Sequence, residues 1–373
     1  MNSAVFAGAL LRMVRLEKNW SQETLCQGIC TVSYLSKIEQ GKAQANESLL
    51  RDLFGKMDIA WQSTPRKEGE KLCEMLYDVV FSDDVNELER YKEEGLLRQE
   101  SAALDSNYLD YLILRAYCCM DTGLIPQPLR PLLDDRQKSL LYLLEDQPER
   151  AMQCNPCALT VQCAGAKAYT QGNYTLALEL LQRAYDMASQ NGYARIMMCC
   201  QAYMANCYSD LRNVPDMLQH SQIAKRLARI LGDMEMLETI DYNIASTQIE
   251  CGEYKSGYAH FASIQEPTAL QLHKLAICCE MLEKREEALS ALDKARDLAV
   301  DLERDMCDIV RYRLENPNYL HDSGYGELLL NTFKTLKRER SVGYARFHLS
   351  RVEEWCTANR QYRTIYEIMC EFL

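Results

Sequence analysis

The chain has 373 residues, 47% of them hydrophobic and 26% charged, the balance of a folded globular protein and not of a disordered one. Only 9 Pro and 16 Gly occur, and no long runs rich in Val, Ile and Thr, so a β-sandwich or a doubly wound sheet is disfavoured and an all-α chain is expected. The net charge of −12 is unevenly spread: residues 1–60 hold seven basic and six acidic residues, leaving −13 for the rest, so any nucleic-acid contact is confined to the N-terminal segment.

In chain order, Leu10, Leu11 and Val14 recur at helical spacing, and Phe6–Asn19 reads as a first helix with Arg12, Arg15 and Lys18 off its apolar stripe. Ser21 caps a second helix, which Gly28 ends. Thr31 caps a third, running through Tyr34, Leu35 and Ile38 to Gln40, and Gly41 stops it. A fourth helix, Asn46–Met57, turns Leu49, Leu50, Leu53 and Phe54 to one side. The second and third helices have helix-turn-helix spacing.

The run Trp20-Ser-Gln-Glu-Thr-Leu-Cys-Gln-Gly-Ile-Cys-Thr-Val-Ser-Tyr-Leu-Ser-Lys-Ile-Glu-Gln-Gly-Lys42 resembles the Xre, or lambda-repressor-like, helix-turn-helix. It has the Ser-Gln-x-x-Leu opening, the Thr-capped recognition helix and the closing Ile-Glu-x-Gly. The resemblance implies that Gln22 and Lys42 hold phosphates while Val32, Ser33, Ser36 and Lys37 face the major groove. Thr31 and Tyr34 complete that expected DNA-binding set, with Tyr34 read as either bonding a phosphate or packing. Leu25, Leu35 and Ile38 are read as core, and Glu39 as a buried polar support.

After Asp58, Pro65 and the Ser63-Thr64 pair interrupt helical periodicity, so a linker is expected at 61–68 between a DNA-binding domain (1–60) and a repeat domain (69–373). Pro126, Pro128 and Pro131 break the pattern once more. A repeat is clearest over 158–300. Gly172-Asn-Tyr174, with Ala177, Leu181 and Ala184, aligns with Arg212-Asn-Val214, Met217, Ser221 and Ala224, and again with Gly252-Glu-Tyr254, Gly257 and Phe261. A fourth copy holds Glu283, Ala288, Leu292 and Ala295, and a weak fifth centres on Arg360-Gln-Tyr362. This resembles the tetratricopeptide repeat, in which a turn glycine joins paired helices and small residues let them approach closely. The expected fold is therefore an N-terminal helix-turn-helix bundle followed by a right-handed tetratricopeptide-repeat superhelix of seven or eight helix pairs.

A helix-turn-helix joined to such an array resembles the peptide-responsive quorum-sensing regulators of Gram-positive bacteria, the RRNPP group. That resemblance implies a homodimeric regulator of an operator in double-stranded DNA, with half-sites roughly 34–36 Å apart, controlled by a short linear signalling peptide in the concave groove. Counting from each turn places Gln162 and Tyr169, Ala202 and Asn206, Tyr242 and Ser246, and His273 and Glu280 on the concave side, flanked by Tyr203 and Asn243. Amide side chains pair with a peptide backbone, and tyrosines add apolar area with a polar tip. Gln162, Tyr169, Tyr203, Asn206, Tyr242, Asn243 and His273 form the expected peptide-binding set, and the acidic body favours a basic peptide or one with a free amine.

Seventeen cysteines without an export signal or membrane span point to a reduced, cytoplasmic protein. Cys154-Asn-Pro-Cys157 lacks the second half of a zinc site, so its cysteines are read as packing. The five histidines are scattered and no P-loop, HExxH or GxSxG occurs, so no enzyme, metal or cofactor is expected. The competing expectation is a tetratricopeptide scaffold for a protein partner, with the helix-turn-helix serving assembly alone.

Overall fold

The structure is a computed structural model that describes residues 3–62, 67–93, 103–104, 107–340 and 342–370. Apart from one parallel pairing of two-residue strands, Ala60–Trp61 with Ala103–Leu104, and three short 3-10 segments, its regular elements are α-helices. An N-terminal helix-turn-helix precedes a series of paired helices of tetratricopeptide type.

The N-terminal bundle holds α1 (Ser3–Glu17), α2 (Gln22–Cys26), α3 (Val32–Glu39) and α4 (Glu47–Lys56). Each of the last three starts at a side-chain cap, because the first backbone N–H groups of a helix have no partner within it. Ser21 accepts from the Thr24 N–H, Thr31 from that of Tyr34 and Asn46 from that of Leu49. Phe6, Leu10, Leu11, Leu25, Leu35, Ile38, Leu53 and Phe54 close the core. Gly8 lets α1 lie directly on α3, since a Cβ there would stand 2.0 Å from the Ile38 carbonyl oxygen.

Two compact units are distinguished: Met1–Ala164 with Gln182–Ile196, and Gly165–Leu181 with Met197–Leu373. In the first, the bundle core continues without a break through Leu76, Tyr77, Ile113 and Leu129 to Leu141. It is built with α5 (Lys67–Ser82), α6 (Val85–Glu93), α7 (Tyr108–Cys119), α8 (Asp135–Leu144) and α9 (Pro148–Cys154). The proline-rich stretch forms 3-10 turns at Thr122–Leu124 and Gln127–Leu132, and α1 packs on the latter. Within the expected linker, residues 63–66, including Pro65, lie outside the described residues. Trp61 stacks on Phe54 at 4.7 Å between ring centroids, and Lys67 already begins α5.

From Ala158 the helices run in pairs: α10 (Ala158–Thr170) and α11 (Tyr174–Asn191), α12 (Ala194–Asp210) and α13 (Val214–Leu231), α14 (Met234–Glu250) and α15 (Tyr254–Ala262). Then follow α16 (Ala269–Met281) and α17 (Arg285–Leu298), α18 (Asp301–Glu315) and α19 (Ser323–Glu339), and α20 (Val342–Ala358) and α21 (Tyr362–Cys370). The residue that breaks the first helix from the second adopts positive φ at Gly172, Arg212, Gly252, Glu283 and Arg360. Glycine meets that demand without a Cβ penalty at 172 and 252. In the second unit Gly257 is obligatory for another reason: a Cβ would sit 2.7 Å from Ile249 Cγ1 and 3.0 Å from Cys278 Sγ. The α18–α19 pair carries no repeat motif, because a longer connection with a 3-10 turn at Tyr319–His321 replaces the tight one and Asp322 caps α19 instead.

Candidate nucleic-acid interface and ligand groove

The α3 helix is buried along Leu35, Ile38 and Glu39 and exposed along Thr31, Val32, Ser33, Tyr34 and Lys37. Val32, 43% exposed, is a β-branched apolar residue presented to solvent at the first turn of a rigid helix. Lys42 is exposed just beyond the Gly41 turn. Ser36 is half-buried and faces Gln40 Nε2 at 3.0 Å, while the Tyr34 hydroxyl donates to the Gln44 carbonyl at 3.0 Å and braces the segment after α3.

Arg15, expected off the apolar stripe of α1, is buried. Its Nε and Nη2 donate to the two Glu39 carboxylate oxygens at 2.6 and 2.8 Å, and Nη1 donates to the Trp20 carbonyl. The Gln22 amide donates to Glu39 Oε2 at 2.8 Å. Gln22 is thus occupied inside the bundle, and a phosphate would have to draw it away. A forked guanidinium matched to a carboxylate fixes distance and orientation together, so this network sets α3 against α1 and α2.

In the second unit, a cavity of about 100 Å3 opens among the first helices of successive pairs. Tyr169 on α10, Asn206 on α12 and Tyr242 and Asn243 on α14 line it, as their spacing predicts. Asn243 Nδ2 donates to Asn206 Oδ1 at 3.0 Å, and Tyr169 meets Tyr203 edge-on at 5.7 Å between centroids. Tyr203 therefore backs the lining without forming part of it. The other two members of the expected set are placed differently. Gln162 is buried and belongs to the first unit. His273 is 1% exposed and does not line the cavity, because α16 turns that side chain into the α16–α20 packing and presents Lys274 instead.

Sequence spacing missed Asp210, Glu250, Lys274 and the contribution of α20, whose Gly343, Tyr344, Phe347 and His348 complete the lining. Arg346 Nη1 donates to the Asp210 carbonyl at 2.8 Å, and a Cβ at 343 would lie 2.9 Å from Asp210 Oδ1, so glycine at that position lets α20 approach the end of α12. Asp210 Oδ2 accepts from the Tyr174 hydroxyl at 3.0 Å, and burial pushes the Asp210 carboxyl up to about 6 against the pull of Tyr174 and Arg346. Burial holds His273 and His348 well below the usual histidine range, with the charge of Lys274 and Arg351 acting in the same direction. Among the described residues no group of three His, Cys, Asp or Glu is arranged to hold a metal ion. No helix among them is long and apolar enough to cross a membrane.

The fold and these two surfaces define an all-α helix-turn-helix protein with a tetratricopeptide-like body. Residues 11–60 match the helix-turn-helix family model. No curated protein sequence matches the chain. Among solved structures, Rap protein complexed with competence and sporulation factor is similar at 15% identity, covering 83% of this chain and 100% of that one with a TM-score of 0.57. The apo form of RapI is similar at 14% identity over 80% and 99% of the two chains, with a TM-score of 0.53. Bacillus thuringiensis PlcR in complex with the peptide PapR7 and DNA aligns at 11% identity over 77% and 99%, with a TM-score of 0.28.

Proposed function

We propose that this protein is a sequence-specific DNA-binding transcriptional regulator whose activity is set by a short peptide in the groove of the second unit. The observation that carries the DNA half is the division of α3: one side is locked by Leu35, Ile38 and the Arg15–Glu39 pair, and the other leaves Val32, Ser33 and Lys37 exposed. A rigid helix with free Lys, Ser and Val side chains can read base edges, Lys donating to guanine and Val meeting a thymine methyl. The bundle carries a net charge of only +1, so phosphate attraction to one copy is weak and a homodimer reading two half-sites is part of the proposal.

The Asn206–Asn243 pair beside Tyr169 and Tyr242 supports the peptide half, since paired amides offer both donor and acceptor to an extended backbone. A cavity of about 100 Å3 takes one side chain or terminal group, with the remaining peptide lying along the helices. The reader shares one continuous core, Phe6 to Leu141, with α5–α9, and α1 packs on the Gln127–Leu132 turn, so a rearrangement of that part of the first unit would be felt by the reader. The proposed reader spans residues 1–60 and the proposed sensor 69–373.

Gel shift on genomic fragments selected by the purified protein, with and without candidate peptides, tests both halves. Asn206→Ala should weaken peptide binding roughly tenfold or more, the scale of one lost buried hydrogen-bonding group, and leave peptide-free DNA binding unchanged. Absence of any selected duplex would refute the regulator and favour the scaffold reading.

A further inference from the structure

Where α16 meets α20, two imidazoles are sealed from solvent. His273 and His348 lie with ring centroids 5.9 Å apart, and none of their four ring nitrogens has a hydrogen-bond partner among the described residues. Buried polar groups are ordinarily satisfied, so an orphaned pair beside a cavity calls for a partner, and the cavity is where one can enter. His348 is on the cavity lining and His273 stands behind it.

The surrounding charge indicates what that partner is. Lys274 is buried next to His273, its Nζ 2.8 Å from the centroid of the Phe347 ring, and the Arg351 guanidinium stands 5.5 Å from the same centroid. Of the nearby carboxylates, Glu280 is committed to Arg313, which it grips through both oxygens. Glu250 lines the same cavity, where burial pushes its carboxyl up and the charge of Lys274 pulls it down. Lys274 faces the cavity with a ring below it and no hydrogen-bonded carboxylate. Its charge partner is Glu250 on the same lining, which makes no hydrogen bond to it, so the Lys274 N–H donors stay open to the cavity and the neighbouring imidazole has an N–H to spare.

We propose that the α16–α20 end of the cavity is a carboxylate site, at which a carboxylate of the bound peptide accepts hydrogen bonds from Lys274 Nζ and from a ring N–H of His348. The proposal rests on the reading of the groove as a peptide site. It adds direction: Lys274 on α16 and the neutral His348 N–H on α20 take the carboxylate, while Asp210 on α12 leaves the same cavity an acidic group for an amine. The acidic net charge of the chain thus does not decide ligand charge here, because local groups within a few ångströms outweigh a total screened over about 8–10 Å.

The test uses the full chain labelled with 15N-histidine at pH 7.5, with ring resonances assigned by His273→Gln and His348→Phe. N-acetylglycine presents a C-terminal carboxylate, N-acetylaspartic acid α-amide a side-chain carboxylate, and N-acetylglycinamide neither. The carboxylate probes should shift the ring nitrogens of His348 and His273 saturably, and the neutral amide should bind at least tenfold more weakly. The tighter of the two acids identifies which kind of carboxylate the site takes. Lys274→Met and His348→Phe should each weaken the acid at least tenfold. Two variants are used because an apolar side chain at 274 could disturb packing, and unchanged helical content by circular dichroism qualifies either one.

Unmoved histidine resonances, equal affinity for acid and amide, or equal shifts from sodium chloride at matched ionic strength would overturn the proposal. Failure of the two readings is separable. Acids binding here while a free-acid peptide library does not bind would leave this site standing and remove the peptide groove. Peptides lacking acidic residues that bind equally as acids and as amides would keep the groove and remove the carboxylate site.

Discussion

Replacing Asp210 by Asn should stabilise the protein at neutral pH and leave it unchanged in acid. Asp210 ends α12, where helix carbonyls already point toward it, and burial raises its carboxyl from the ordinary 3.8 to about 6. Between those values the folded chain holds a proton that the unfolded chain has released, so stability falls as pH rises through the window and stays lowered above it. A shift of about two pH units corresponds to roughly 3 kcal/mol as an upper figure, at ~1.36 kcal/mol per unit. An amide oxygen can still accept from the Tyr174 hydroxyl, so the variant should recover about 1–3 kcal/mol at pH 7.5. For a unit of this size that is a rise of roughly 2–12 °C in Tm. Calorimetry of both proteins at intervals from pH 4 to 7.5 reads the difference directly, cancelling other raised carboxyls such as Asp83 and Asp110. A difference that is flat with pH, or a variant less stable at pH 7.5, would refute the assignment of a burial cost to this carboxylate.

The remaining predictions concern the N-terminal bundle. Arg15→Met strands Glu39 as a buried charge and should cost about 3–5 kcal/mol in urea unfolding, most of it regained in Arg15→Met/Glu39→Leu; a single variant within 1 kcal/mol of the parent on that roughly 3–5 kcal/mol scale would contradict the clamp. Gly8→Ala drives a methyl into the Ile38 carbonyl and should destabilise by about 1–3 kcal/mol or more, with loss of DNA binding measured by anisotropy as α3 is displaced. Lys37→Ala should cost roughly 1–3 kcal/mol at the preferred site and flatten sequence preference. Lys42→Ala should weaken all duplexes alike and lower the salt slope by about 0.9. Equal losses on specific and random DNA for Lys37→Ala would remove its base-reading role.

Local chemistry made much of the architecture legible. Ser21 and Thr31 announce helix starts because their side chains satisfy orphan N–H groups, and they cap those helices in the structure, where Asn46 does the same for α4. The turn at Gly172 and Gly252 and the close approach at Gly257 are written in the absence of a Cβ, and the same register places Arg212 and Glu283 at positive φ without glycine. Distance from each repeat turn places Tyr169, Asn206 and Tyr242 on one side of their helices with Asn243 beside them, and all four line the cavity.

What depends on contacts between distant segments could not be read this way. The burial of Arg15 is decided by Glu39, 24 positions later, and the engagement of Gln22 by the same carboxylate. That α20 contacts α12, Arg346 against Asp210 across 136 positions, follows from how successive helix pairs stack, and no local pattern encodes it. His273 shows the limit in one residue: its spacing assigned it to the groove face, and the packing of α20 buried it against His348. Periodicity determines which residues share a side of a helix; only the neighbour that arrives there decides whether that side meets solvent, ligand or protein.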